Sequence, residues 1–377
     1  MISSLKYTGL ALLGLLVSTQ FAAAQGCVAV RHMSCAAPSG SSAAFFKQRT
    51  GTWQVSAGYR YFQSYKHFVG DVEQKQRVEQ GTQVINTSHA VDLGITYMPS
   101  LRWSVSVNLP LQTNDRSSLY EHYGNPAAGS GINPDANRFH TGSKGIGDLR
   151  ISTSYWLINP ATLPKTNLAV GVGVKLPTGD YKATDQFHRK TKEGADYTIT
   201  LPVDQSIQLG DGGVGASIEL QGYSQLTKSG LTAYANGFYL FNPRETNGVK
   251  RNPTATTIDL VTGEFSVADQ FAARLGLSQS IRFVPGLAVM LGGRVEGVPA
   301  KDAFGGSNGF RRPGYIVSVE PGFSYMKGGY AAALSVPVAV YRNRTRSYAD
   351  QLDPLGLKHG DAAFADYLIS FNVSRSF

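Results

Sequence analysis

Residues 363–377 read AFADYLISFNVSRSF, and the fold is decided there. Counting back from the last residue, Phe377, Arg375, Val373, Phe371, Ile369, Tyr367, Ala365 and Ala363 share one register. Ser376, Ser374, Asn372, Ser370, Leu368 and Asp366 share the other. A period of two predicts a β-strand with one apolar face and one wet face. Such a strand belongs either at the edge of a soluble sandwich or in a barrel whose outer face meets lipid. The rest of the chain separates the two.

Working back from that strand, the same alternation recurs. It runs through Tyr330–Tyr341, Tyr315–Tyr325, Leu287–Glu296, Phe265–Gln279, Leu231–Phe241, Val214–Gln221 and Leu168–Leu176. Gly147–Leu157, Trp103–Leu111, His89–Tyr97 and Trp53–Tyr65 follow the same pattern. Leu231–Phe241 is the least clean, with Tyr234, Phe238 and Leu240 on its wet face. The count is about twelve, even, and close to ten residues each, which is the signature of an all-β transmembrane antiparallel up-and-down barrel. Connections after the odd strands are long and polar, and those after the even strands are short. Short inner turns and long outer loops predict that pattern, with both ends of the barrel chain on the periplasmic side. A terminal amphipathic strand closing on Phe377 also resembles the C-terminal signal strand of bacterial outer-membrane barrels.

Charge sorts by register. The wet faces hold Arg60, Asp92, Asp148, Arg150, Lys175, Glu219, Arg274, Arg294, Glu296, Glu320 and Asp366, which are therefore the candidate pore-lining residues. The apolar faces hold only Asp269 and Arg375, both placed near strand ends. A Lys or Arg facing mid-bilayer lipid costs about 2–4 kcal/mol, so the asymmetry is what that cost would select. Trp53, Tyr97, Trp103, Tyr155, Tyr325, Tyr330 and Phe377 stand by the short turns as an expected aromatic girdle. Pro110, Pro321 and Pro337 each remove a ladder donor, so bulges or rim positions are expected there.

The beginning of the chain fits export. Residues 1–24 carry Lys6, an apolar run from Leu10 to Val17 and a small-residue site at Ala22–Ala24, which read as a cleaved signal peptide. Residues 25–50 read as a periplasmic extension and 51–377 as the barrel. The two cysteines, Cys27 and Cys35, are expected to form a local disulfide in an oxidising compartment; lipidation of Cys27 is disfavoured by its Ala-Gln-Gly context. Charged residues make up 16% of the chain, against about 25% in soluble proteins. The net charge of +9 on an exported chain points to lipopolysaccharide rather than nucleic acid as its polyanion.

Three stretches carry a family resemblance: Gly145-Ile146-Gly147-Asp148-Leu149, Val174-Lys175-Leu176-Pro177-Thr178-Gly179, and Gln208-Leu209-Gly210-Asp211-Gly212-Gly213-Val214-Gly215. Their order resembles the outer-membrane family named for the meta pathway of phenol degradation. The resemblance implies a barrel transporter of small organic compounds, and it is clearest from Gly145 to Leu240. Catalysis finds little support. Asn86-Thr87-Ser88-His89 has the residue types of a lipid hydrolase, the remote alternative, but adjacent Ser and His in a strand point to opposite faces. No cofactor or metal set is expected. The expected partners are outer-membrane lipids, lipopolysaccharide, the barrel-assembly machinery and a small solute; oligomeric state is left open. The reading is a channel or facilitated transporter for small, partly apolar compounds, gated by residues 113–144 or 178–210. The alternative is a structural or surface-interaction barrel with an occluded lumen.

Overall fold

In the computed structural model, residues 50–126, 133–254, 259 and 261–377 are described. The expected signal peptide, nearly all of the extension and the Cys27–Cys35 disulfide lie outside them. The strands are β1 (Thr52–Val69), β2 (Val72–Glu73), β3 (Ile85–Met98), β4 (Trp103–Ser118), β5 (Phe139–Ile146), β6 (Leu149–Trp156), β7 (Thr166–Leu176), β8 (Thr184–Lys190), β9 (Asp196–Pro202) and β10 (Gly215–Gln225). They continue as β11 (Leu231–Phe241), β12 (Thr246–Lys250), β13 (Glu264–Ser266), β14 (Gln270–Ser280), β15 (Leu287–Val298), β16 (Gly314–Lys327), β17 (Tyr330–Ser335), β18 (Val338–Asn343) and β19 (Ala362–Ser376).

One antiparallel sheet takes in β1, β3, β4, β5 with β6, β7, β10, β11, β14, β15, β16, β17 with β18, and β19. The last strand pairs with the first, from Gln54↔Ser376 to Phe68↔Ala362, so the sheet closes on itself. Counting each interrupted strand once gives twelve staves among the described residues. Closure leaves no edge to satisfy, which a bilayer demands. The alternation decides which way each side chain faces. On β7, Leu168, Val170, Val172 and Val174 are exposed on the outside, while Ala169, Gly171, Gly173 and Lys175 are buried.

Both interruptions have proline at them. Between Asn108↔Arg150 and Leu111↔Ile146, two residues of β4 face three of the opposing chain, a bulge with Pro110 at its centre. Pro321, whose carbonyl accepts from the Val336 amide at 3.0 Å, and Pro337 lie one rung apart where the eleventh stave divides into β17 and β18. Above that point β18 keeps a single pairing with β19, Val338↔Tyr367. A seam results, and Arg342 bridges it: its Nε donates to the Ala365 carbonyl at 3.1 Å and its Nη2 to Asp366 at 2.6 Å.

The girdle is in place at the short-turn end. Trp53 stacks on Tyr97 with centroids 4.6 Å apart, and Trp103 meets Tyr155 edge-on at 6.0 Å. Arg375 lies over both Tyr330 and Phe377, so its charge sits among the girdle rings rather than at mid-wall. Three expectations need correcting. The barrel extends above the predicted strands: β4 and β5 stay paired from Leu111↔Ile146 to Ser118↔Phe139, so the loop expected over 113–144 spans only 119–138. These rungs are polar on both faces, which hides the period. The segment 178–210 is not simple loop, because β8 and β9 form a hairpin in it. Finally, the expected strand 265–279 is two: β13 pairs with β12 outside the barrel, and β14 begins at Gln270. Between them Asp269 is fully buried, accepting from the Asn242 and Ala303 amides and the Tyr239 hydroxyl.

Candidate functional site

The inner register of the wall is ionic, and most of its charges are already opposed. Arg60 makes a two-pronged contact with Asp92, at 2.5 and 2.9 Å. Arg294 meets Glu296 at 2.7 Å, and Arg274 reaches Glu320 at 3.6 Å. Lys175 pairs with Asp211 and lies 4.0 Å from Asp148. Arg150 covers the face of Phe238 at 4.9 Å, and Glu219 accepts from Ser217 at 3.0 Å. Ten of the eleven candidate residues thus fall on the inner register, in the middle and upper wall. Asp366 is set apart at the bulge between β1 and β19, where it holds Tyr65, Lys66 and Arg342.

Nearer the short-turn end the inner surface turns apolar. Trp156 and Tyr223 meet edge-on at 5.5 Å, and Tyr234 and Met290 are buried. Tyr234 rests against the inner side of Gly276 and Gly292, where an added Cβ would lie 2.5 and 2.8 Å from its hydroxyl.

Residues 203–213 run across the inner face of the wall. The chain leaves β9, turns inward and runs along the inner register of β4. The Ile207 carbonyl accepts from Asn114 at 3.3 Å and also from Ser143, and the Leu209 carbonyl accepts from Gln112 at 3.4 Å. Val203, Ile207 and Leu209 are buried. Asp204 anchors the segment: Arg312 grips its carboxylate at 2.7 and 2.8 Å, and Arg116 stands 3.7 Å away. Gln205 donates to the Ser266 carbonyl at 2.7 Å, so the segment touches distant parts of the mouth.

The three family-like stretches converge where this segment joins the wall. Asp148 accepts from the Gly179 amide at 3.0 Å and from the Asp211 amide at 3.2 Å. A Cβ at Gly210 would fall 2.7 Å from the Gly179 carbonyl oxygen, and one at Gly147 would fall 2.4 Å from the Gln112 amide nitrogen. Glycine is required at Gly179 and Gly210 because their two backbones touch, and at Gly147 the Gln112 and Pro110 side chains fill the space. The motif is therefore the anchorage of an inward loop, more than a mark of strand ends. Sequence reading missed Asp204, Asp211, Arg116 and Arg312. The available signal was the apolar alternation of Tyr197, Ile199 and Leu201, followed by Val203, Ile207 and Leu209 within a stretch taken as polar loop.

Ser88 donates to Asn114 on the inside, while His89 meets Tyr59 on the exposed face, so the two do not form a nucleophile–base pair.

No family model matches the chain, and no curated protein sequence matches it. Among solved structures, an outer-membrane channel from Pseudomonas putida F1 superposes with a TM-score of 0.54 at 12% identity, covering 88% of this chain and 97% of that one. The translocator domain of the autotransporter NalP from Neisseria meningitidis follows with 0.42, 12%, 89% and 92%. The P. putida toluene transporter TodX gives 0.39, 10%, 89% and 92%. The first shares the fold, a closed outer-membrane-type barrel; the other two superpose too loosely to bear on function.

Proposed function

We infer that the protein is an outer-membrane channel giving energy-independent passage to small, partly apolar organic compounds. The carrying observation is the make-up of the interior. The inner register carries Arg60, Asp92, Arg150, Lys175, Arg294, Glu296 and Glu320, with apolar packing left to small clusters, the polar interior of an outer-membrane barrel. Ionic groups of both signs keep water in a lumen, and their pairing makes the barrel itself weakly ion-selective. Twelve strands give a bore between the eight-stranded barrels that side chains fill and the sixteen-stranded open porins. The rings at Trp156, Tyr223 and Tyr234 offer an apolar solute a resting place. The segment 203–213 is the constriction and the natural gate.

The motif stretches support membership in the meta-pathway transporter family as the finer reading. A structural barrel with a permanently blocked lumen is the competing one. Swelling of liposomes loaded with phenyl glucoside, a solute that crosses lipid slowly, distinguishes them. Flux through wild type, increased by deleting residues 203–209, supports the channel. No flux through either protein overturns it.

A further inference from the structure

The long loops enclose a chamber of about 340 Å³ at the outer mouth, beyond the constriction. Its charge differs from that of the barrel below. Five guanidiniums on its wall are matched by carboxylates: Arg77 with Asp361, Arg116 with Glu121, Arg311 with Asp302, Arg312 with Asp204 and Arg344 with Asp350. Two more cations line it, Arg251 and Lys358, and neither takes part in an ion pair among the described residues. Asp259, the acid whose titration Lys358 influences, is engaged by the Thr262 hydroxyl and the Val261 amide.

The excess is therefore two positive charges within a concave site. Arg251 lies 3.9 Å over the Phe310 ring, with Arg312 against the same ring at 4.7 Å, so two guanidiniums are crowded together. Arg311 adds a second signal. It is buried, its terminal nitrogens hold Asp302, and its Nε has no hydrogen-bond acceptor. The rest of the wall includes apolar surface at Val84, Phe310, Ala362 and Ala363. The chamber's size suits a ligand of one or two rings, and its lining sets these apolar patches among the guanidiniums.

We propose that the outer chamber binds small organic carboxylates, with Arg251 and Lys358 taking the anionic group and the Val84–Phe310–Ala363 wall taking the body. This deepens the channel reading by naming a solute class and a capture site ahead of the constriction. It rests on that reading for the chamber's role, but binding is measured without flux.

The test is calorimetric titration of the full chain in detergent with benzoate, with its neutral isostere benzamide, and with inorganic phosphate as competitor. Benzoate is expected to bind about tenfold more tightly than benzamide, with that advantage lost in the Arg251→Gln/Lys358→Gln double variant. Both substituted residues are exposed, and heat-modifiable migration on gels reports that the barrel is intact. Equal binding of benzoate and benzamide overturns the proposal, as does undiminished benzoate binding by the folded double variant. Displacement of benzoate by equimolar phosphate overturns the organic part, leaving a plain oxyanion site. A protein that passes phenyl glucoside but treats the two ligands alike remains a channel without an anion chamber.

Discussion

Asp204 is the residue through which the constriction is tied to the rim. Burial would raise its carboxyl, but Arg116 and Arg312 outweigh burial and hold it far below the usual carboxylate range. A depressed carboxyl stabilises docking fully above its unfolded value and loses that contribution only as pH falls through the folded one. The Asp204 tether therefore predicts no change in gating between pH 8 and about pH 5. Asp204→Ala removes the carboxylate from beside two buried guanidiniums, at a cost of about 3–5 kcal/mol to docking. Limited proteolysis between 203 and 213 should accelerate in that variant, and an unchanged rate would refute the tether. His122 behaves oppositely. Burial, aided by His188 and Arg189 against the pull of Glu121, lowers it to about 4, so at neutral pH it is an uncharged acceptor for the His188 amide at 3.1 Å. The undocked form takes up a proton between the ordinary histidine value and about 4. Docking of the β8–β9 hairpin thus weakens as pH falls through that window. Hydrogen exchange in the hairpin, corrected for intrinsic rates, should rise there in wild type and stay flat in His122→Gln.

At the scale of elements, the strands were legible because lipid enforces the period of two, as the exposed Val170, Val172 and Val174 against the buried Lys175 illustrate. The prolines were legible too, since a missing donor must fall at a bulge or break, and Pro110 and Pro337 do. The inward segment was not, because no local pattern records that Asp204 will meet an arginine 108 residues away. Its glycines looked like strand-end punctuation until Gly179 and Gly210 were seen back to back. The upper rungs of β4 and β5 were missed for a related reason: above the lipid, polar residues on both faces leave no alternation. The seam gives the prediction at this scale. With one backbone pairing between β18 and β19, Arg342 replaces ladder bonds with a side chain. Arg342→Ala should cost about 1–3 kcal/mol and speed amide exchange in β18 beyond that in β17. Equal exchange in the two halves of the stave would show that the ladder does not need it.

For the whole molecule, the division of labour runs along the axis: an apolar collar near the short turns, a charge-balanced middle wall, an inward constriction and a cationic chamber under the long loops. Orientation follows from loop length. Cysteines placed at Lys190 and Asn252 should be labelled from outside intact cells, and those at Lys228 and Phe283 should not; the reverse pattern would invert the account. The central claim is that a water-filled lumen is narrowed by residues 203–213. It is tested most directly by single-channel recording in planar bilayers, with wild type beside a variant lacking 203–209. The account predicts a small conductance with weak ion preference for wild type and a clearly larger one for the variant. Silence from both proteins, with the barrel folded, would contradict it.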